Sequence, residues 1–212
     1  MVMRGLQAHG TQIYLEGRRF RGLGVNHVDL FWRQLFNTGS DTYDWRSDMD
    51  EIRNTHGLRF IRFAVGFTGA GDYASYYGTP GYWAALDSIV ERAENLGLGL
   101  LPNLMWSTRA FVGWMHFLRA ARESPADLSR PTSFCWTESK NYVETFVNRY
   151  KHSPAIWAWQ IHNEMSSGDG PEYAAAWNVD GSTASWLNWG NHPAGGTWLS
   201  SDKTSPRQYV MH

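Results

Sequence analysis

The residues best placed to do chemistry stand where apolar runs end. Ala155 to Ile161 (AIWAWQI) is almost continuously apolar and leads into His162, Asn163 and Glu164. A carboxyl beside Trp157, Trp159 and Ile161 has the kind of surround that raises a carboxylic acid's pKa and keeps its proton available. Arg62 stands inside a second apolar run, Leu58 to Val65 (LRFIRFAV). Asn26 and His27 follow Gly22 to Val25, while Asn103 and Trp106 close the run that starts at Leu98. With Trp32, these side chains can bond hydroxyl groups or stack on a ring, and His162 either extends the polar set or bonds a neighbouring strand. Other chemistries find less support. His152, His162, His192 and His212 lack metal-ligand spacing, and the single cysteine, Cys135, excludes an intrachain disulfide or a multi-cysteine metal site. Gly69-Ala70-Gly71 has no Lys-Ser/Thr and no helix start after it, so it reads as a turn and not a phosphate cradle. No metal and no cofactor are expected.

The elements that must position these residues alternate regularly. Gln12 to Leu15 and Arg18 to Phe20 flank Glu16-Gly17, the spacing of a β-hairpin with a two-residue turn. Strands are predicted over Gly22 to Val28, Leu58 to Val65, Leu98 to Met105 and Ala155 to Ile161. Helices are predicted over Ser47 to His56 with Ser47 as N-cap, Tyr82 to Leu96 stopping at Gly97, and Glu138 to Tyr150. This alternation is the pattern of a parallel sheet with crossover helices. Residues 22–164 hold four strands and three helices at roughly 36 residues per unit, against about 250 residues for a closed eight-unit barrel. The expected fold is therefore α/β, a parallel (β/α) half-barrel of TIM-barrel type with an N-terminal hairpin. It forms a single truncated domain over 1–212, with the hairpin at 10–20, βα units over 22–164 and a long Trp- and Gly-rich loop over 165–212. An open sheet leaves edges and apolar faces in water, so a homo-oligomer, a dimer completing the barrel, is expected.

Composition narrows the ligand. The 212 residues are 42% hydrophobic and 18% charged, with a formal net charge of −1, which gives no electrostatic footprint for nucleic acid. No apolar stretch reaches the roughly 18 residues of a membrane span, and the start has no run of signal-peptide length, so a soluble protein without membrane contact is expected. Twelve Trp is several-fold above ordinary usage. Trp177, Trp186, Trp189 and Trp198 sit among Gly, Ser, Asn and Asp, in segments without apolar periodicity. Flat aromatic faces on polar loops suit the C–H faces of sugar rings. Carbohydrate is the leading ligand class.

From about Leu6 to Glu164 the chain resembles the first half of a clan A glycoside hydrolase, in the style of the cellulase and mannanase family numbered 5. The resemblance rests on the opening from Gly10 to Asn26, on Phe60-Ile61-Arg62-Phe63, and above all on Trp159-Gln160-Ile161-His162-Asn163-Glu164. It implies that Glu164 is the general acid/base, that Asn163 holds a sugar 2-hydroxyl, and that Arg62 hydrogen-bonds a catalytic carboxylate and keeps it ionised. His162 departs from the small or apolar residue that many relatives carry. A retaining enzyme of the clan needs a second glutamate from the seventh strand, roughly 5 Å from the first, and Asp169, Glu172 and Asp180 stand in no motif that resembles it. Two functions follow: hydrolysis of β-linked polysaccharide or oligosaccharide, glucan or mannan, or a noncatalytic carbohydrate-binding or self-assembling half-barrel.

Overall fold

A computed structural model describes residues 5–36, 44–66, 77–106 and 132–162. Three short antiparallel strands come first: β1 (Leu6–His9), β2 (Gln12–Leu15) and β3 (Arg18–Arg19), in the order β1-β2-β3. The two-residue turn read from Glu16-Gly17 is present, with φ of 49° and 78°. Both residues thus lie on the positive side that a tight hairpin demands, which is ordinary for Gly17 and strained for Glu16 by about 1 kcal/mol. Strand β1 is an addition to the sequence reading, since Leu-Gln-Ala-His has no strand-like alternation. The Leu6 amide donates to the Trp157 carbonyl at 2.8 Å, and Phe20 meets the Trp157 ring edge-on at 5.2 Å. These contacts dock the hairpin at one end of the second sheet.

That second sheet is parallel, β4-β5-β6-β7 in chain order: β4 (Gly24–Asn26), β5 (Phe60–Ala64), β6 (Gly99–Met105) and β7 (Gln160–His162). All four strands fall inside or against the predicted runs. Pairing sets Asn26 beside Arg62, Arg62 beside Leu101, Ala64 beside Asn103 and Asn103 beside Gln160, so these residues share one face. The alternate residues Ile61, Phe63, Leu100 and Leu104 are fully buried and form the other face. They pack with Leu86, Ile89, Val143 and Phe146 from two helices into one core.

The last strand is broken where the sequence showed an unbroken run. Ile156 bridges Leu100, whereas Gln160 pairs with Asn103. Three steps along β6 thus correspond to four along the following segment, which is a bulge of one residue. The Trp157 ring lies over Gly99, where an added Cβ would come within 2.1 Å of it. Phe60 covers Gly24 in the same way. The extra residue reverses the alternation after Trp157, burying Trp159 in the core and returning Gln160 to the face of Asn103 and Arg62. Trp157 is therefore at the amino end of the sheet beneath Phe20 and Phe60, and Trp159 is on the helix side. Neither flanks the polar end of β7, the position the linear reading had given them.

The helices differ from the sequence reading mainly at their starts. α1 (Leu30–Leu35) was not foreseen, being only six residues in an aromatic stretch. α2 (Trp45–Asp50) is capped by Asp44, whose carboxylate accepts from the Arg46 amide at 3.0 Å, so Ser47 lies inside the helix and not at its cap. A π-helical turn over Glu51–Thr55 carries the chain on to His56. α3 (Pro80–Leu96) has Thr79 as N-cap and Pro80 in its first turn, and it ends at Gly97 with φ 63°, close to the predicted bounds. α4 (Phe134–Tyr150) starts four residues early because the Ser133 hydroxyl accepts from the Trp136 amide at 3.0 Å. Two helix tyrosines grip the carboxyl ends of strands. The Tyr82 hydroxyl donates to the Val65 carbonyl and the Tyr142 hydroxyl to the Leu104 carbonyl, both at 2.6 Å. Burial, reinforced by Tyr82 and Tyr77, pushes the Tyr142 phenol well above its usual range, so it remains a donor. The loop over 165–212 lies outside the described residues.

The Gly99 contact gives a direct check. Gly99→Ala forces a methyl into the Trp157 ring and is expected to destabilise the protein by about 1–3 kcal/mol, read as a lower urea midpoint.

Candidate functional site

Arg62 is the centre of the polar face. Its position on β5, between Ile61 and Phe63 of the core, points its guanidinium away from the helices. Nε donates to Gln160 Oε1 at 2.6 Å, and Nη1 donates to Asn26 Oδ1 at 2.9 Å. The Trp106 ring lies against the guanidinium, with 5.1 Å from Cζ to the ring centroid. Residues from β4, β5, β7 and the end of β6 thereby converge at the carboxyl ends of parallel strands, where open and closed α/β folds place their sites.

The other predicted residues divide. Asn26 and Trp106 join Arg62 directly. Asn103 is fully buried on the same face, and neither its Nδ2 nor its Oδ1 has a partner among the described residues. His27 has turned away from this cluster. Its Nδ1 lies 3.2 Å from Asp29 Oδ1 and its Nε2 3.0 Å from Asp48 Oδ2, so the ring ties the end of β4 to the starts of α1 and α2. The His27 amide meanwhile donates to the Arg62 carbonyl at 2.8 Å. Asp29 also accepts from Arg33 Nε at 2.6 Å. Burial acts to raise the Asp29 pKa, but the Arg33 hydrogen bond and charge outweigh it and hold the carboxyl below its ordinary 3.8. Trp32 is half-buried, packs on the core and meets Phe36 at 4.2 Å. His162 ends β7, its backbone paired with Met105. Asn163 and Glu164 follow it and lie outside the described residues.

The sequence reading missed Gln160 and Asp48, and it considered Asp29 only as one of several acids that could supply the second carboxylate, not as a partner of His27 and Arg33. Asp48 was legible only as an acidic residue in the first turn of a helix. Gln160 was hidden by the bulge, because alternation counted from Trp157 sets it on the wrong face. Among the described residues no group of three or more His, Cys, Asp or Glu is placed to hold a metal ion, and no helix is long and apolar enough to cross a membrane.

A parallel sheet in chain order with crossover helices is the α/β arrangement found in (β/α) barrels, and comparison with known proteins finds the same arrangement. No family model matches the chain. The putative mannan endo-1,4-β-mannosidase 4 of Arabidopsis thaliana is 26% identical over 204 residues, covering 88% of this chain and 47% of that protein. The putative mannan endo-1,4-β-mannosidase 9 of Oryza sativa subsp. japonica is 26% identical over 174 residues, covering 74% and 42%. The glycoside hydrolase family 5 mannosidase of Rhizomucor miehei shares the fold with a TM-score of 0.56 at 17% identity, over 77% of this chain and 49% of that one. The exo-β-1,4-mannosidase of Opitutaceae bacterium strain TAV5 does so with 0.53 at 16% identity, over 81% and 29%. The chain is thus related to the clan A glycoside hydrolases of family 5. It spans less than half the length of these curated relatives.

Two outcomes test the geometry. A buried amide without partners costs about 1–3 kcal/mol, so Asn103→Leu, near-isosteric and apolar, is expected to raise the melting temperature. Because the Asp29 pKa lies below 3.8 in the fold, its contribution is complete above that pH and is lost as pH falls through the folded-state value. Asp29→Asn is expected to lower stability at neutral pH and to flatten the decline below about pH 3.8, measured as melting temperature against pH.

Proposed function

We propose that the chain carries the Glu164 half of a family 5 active site and acts on β-linked mannan, with β-linked glucan as the related substrate. The observation that carries this reading is the convergence of Arg62, Asn26, Gln160 and Trp106 at the carboxyl end of a parallel sheet whose last strand leads directly into Asn163 and Glu164. The mannosidase relatives point to the same substrate class. In this reading β4 to β7 are half of a barrel wall, and Glu164 follows two residues after the end of β7.

The roles follow from the chemistry. Glu164 protonates the glycosidic oxygen, a poor leaving group, and then activates water as its conjugate base. Asn163 holds a sugar 2-hydroxyl. Arg62, aligned by its two amide acceptors and by Trp106, stabilises a carboxylate in its ionised form. Asn103 offers two donors and an acceptor for sugar hydroxyls, a function that accounts for an amide kept in a buried place at the expense of stability. His27, Trp32 and His162 border the site, His27 and Trp32 as supports of its edge. The second carboxylate comes from outside the described residues.

Reducing-sugar release from soluble β-mannan and β-glucan tests the reading. Glu164→Gln is expected to lower kcat about 10²–10⁴-fold, with binding of mannan oligomers retained. Full activity in Glu164→Gln would overturn the assignment.

A further inference from the structure

We propose that Gln160 is a positioning residue of this site: its amide oxygen fixes the direction of Arg62 and, being neutral, adds no negative charge of its own beside the guanidinium. The inference rests on the functional reading above and adds to it a residue that neither composition nor spacing singles out.

A guanidinium this close to a strand-borne acceptor usually pairs with a carboxylate, in a bidentate fork. Here the two acceptors on Nε and Nη1 are both amide oxygens, one from each side of β5: Gln160 on β7 and Asn26 on β4. The bonds seize opposite ends of the planar group while Trp106 lies against it, so both tilt and rotation are set. The orientation of the Gln160 amide is dictated too. A guanidinium has donors only, so Gln160 must turn its oxygen to Nε and its NH₂ elsewhere. At 2.6 Å the bond is short for a neutral acceptor, as expected when the donor is charged.

Glutamate has the same length and shape as glutamine and would keep the bond. It would also add a negative charge beside Arg62 at the carboxyl end of the sheet, and like charges raise one another's pKa values. Gln160 thus sets the pH range of the site as well as its geometry. Among the described residues the surrounding titratable groups are few. On the β4 side stand His27 with Asp29 and Asp48, and Arg33 beyond them. Strand β6, Gly99–Met105, carries no charged side chain, and β7 adds His162.

Two variants and two readouts separate the claims. Gln160→Leu removes the acceptor and is expected to lower kcat on β-mannan by about 10²-fold, with a smaller change in KM. Gln160→Glu restores the acceptor and is expected to recover most of kcat while moving the acid limb of kcat/KM up by about one pH unit. An unmoved limb overturns the charge claim. The second readout is the Arg62 Nε–H resonance in ¹⁵N NMR, which needs no turnover. Slow solvent exchange in the wild type and in Gln160→Glu, lost in Gln160→Leu, supports positioning, and the same exchange in all three overturns it. Wild-type protein that hydrolyses neither polymer overturns the functional reading and the charge claim with it, while the Nε–H result still decides whether Gln160 holds Arg62.

Discussion

One guanidinium organises the carboxyl end of the parallel sheet. Arg62 stands between Ile61 and Phe63, both fully buried, so its backbone is fixed by the core while its charge must find acceptors on the other face. Those acceptors, Asn26 and Gln160, come from strands on either side of it, and each can reach only if β4, β5, β6 and β7 keep their present registers. A one-residue slip of β4 would carry Asn26 to the helix face and leave a donor unpaired. The hydrophobic face and the polar face therefore specify the same alignment. The helix side reinforces it, because the Tyr82 and Tyr142 hydroxyls hold the Val65 and Leu104 carbonyls just beyond and within the strands that bear Arg62 and Asn103.

Stability and function make opposite demands at this end of the molecule. Most buried polar groups near it are satisfied, with the tyrosine hydroxyls on carbonyls and the His27 ring between two aspartates. Among the described residues Asn103 is an exception on the site face. A fold optimised for stability alone would place an aliphatic side chain there, as it does at Leu101 on the same strand face. An amide without a partner among the described residues, paired in register with Gln160, is a stability cost for which the proposed binding of polar sugar groups would account.

Much of this was legible in the sequence, and the rest was hidden for identifiable reasons. Strands read from Phe60–Ala64 and Gly99–Met105 are unambiguous because apolar runs of that length, preceded by Gly or by a helix stop such as Gly97, have few alternatives. The α3 boundaries followed from Thr79-Pro80 and Gly97, which carry local cap chemistry. α1 was invisible because six residues give no period, and α2 was misread because Asp44 and Ser47 are both good caps and tertiary packing of Trp45 chose between them. Arg62, Asn26, Asn103 and Trp106 were found because each follows or interrupts an apolar run. The partners of His27 were not, since Asp48 lies 21 residues away and only folding brings it near. Gln160 lay within the most informative stretch of the chain and was still passed over, because a bulge leaves no mark in a run of Trp, Ala and Ile.

That bulge gives the molecule a reading frame. Upstream of it, the odd positions Trp157 and Gly99 share the polar face; downstream, on the bulged chain, the even position Gln160 takes that face. The residues after the bulge thus owe their side of the sheet to a single inserted residue, much as codons owe their meaning to a preceding base. Loss of one residue between Ile156 and Gln160 would leave the composition and hydrophobicity of the strand almost untouched, yet would exchange its two faces. Similar sequences that differ by one residue here are to be aligned by face, not by letter, before their sites are compared.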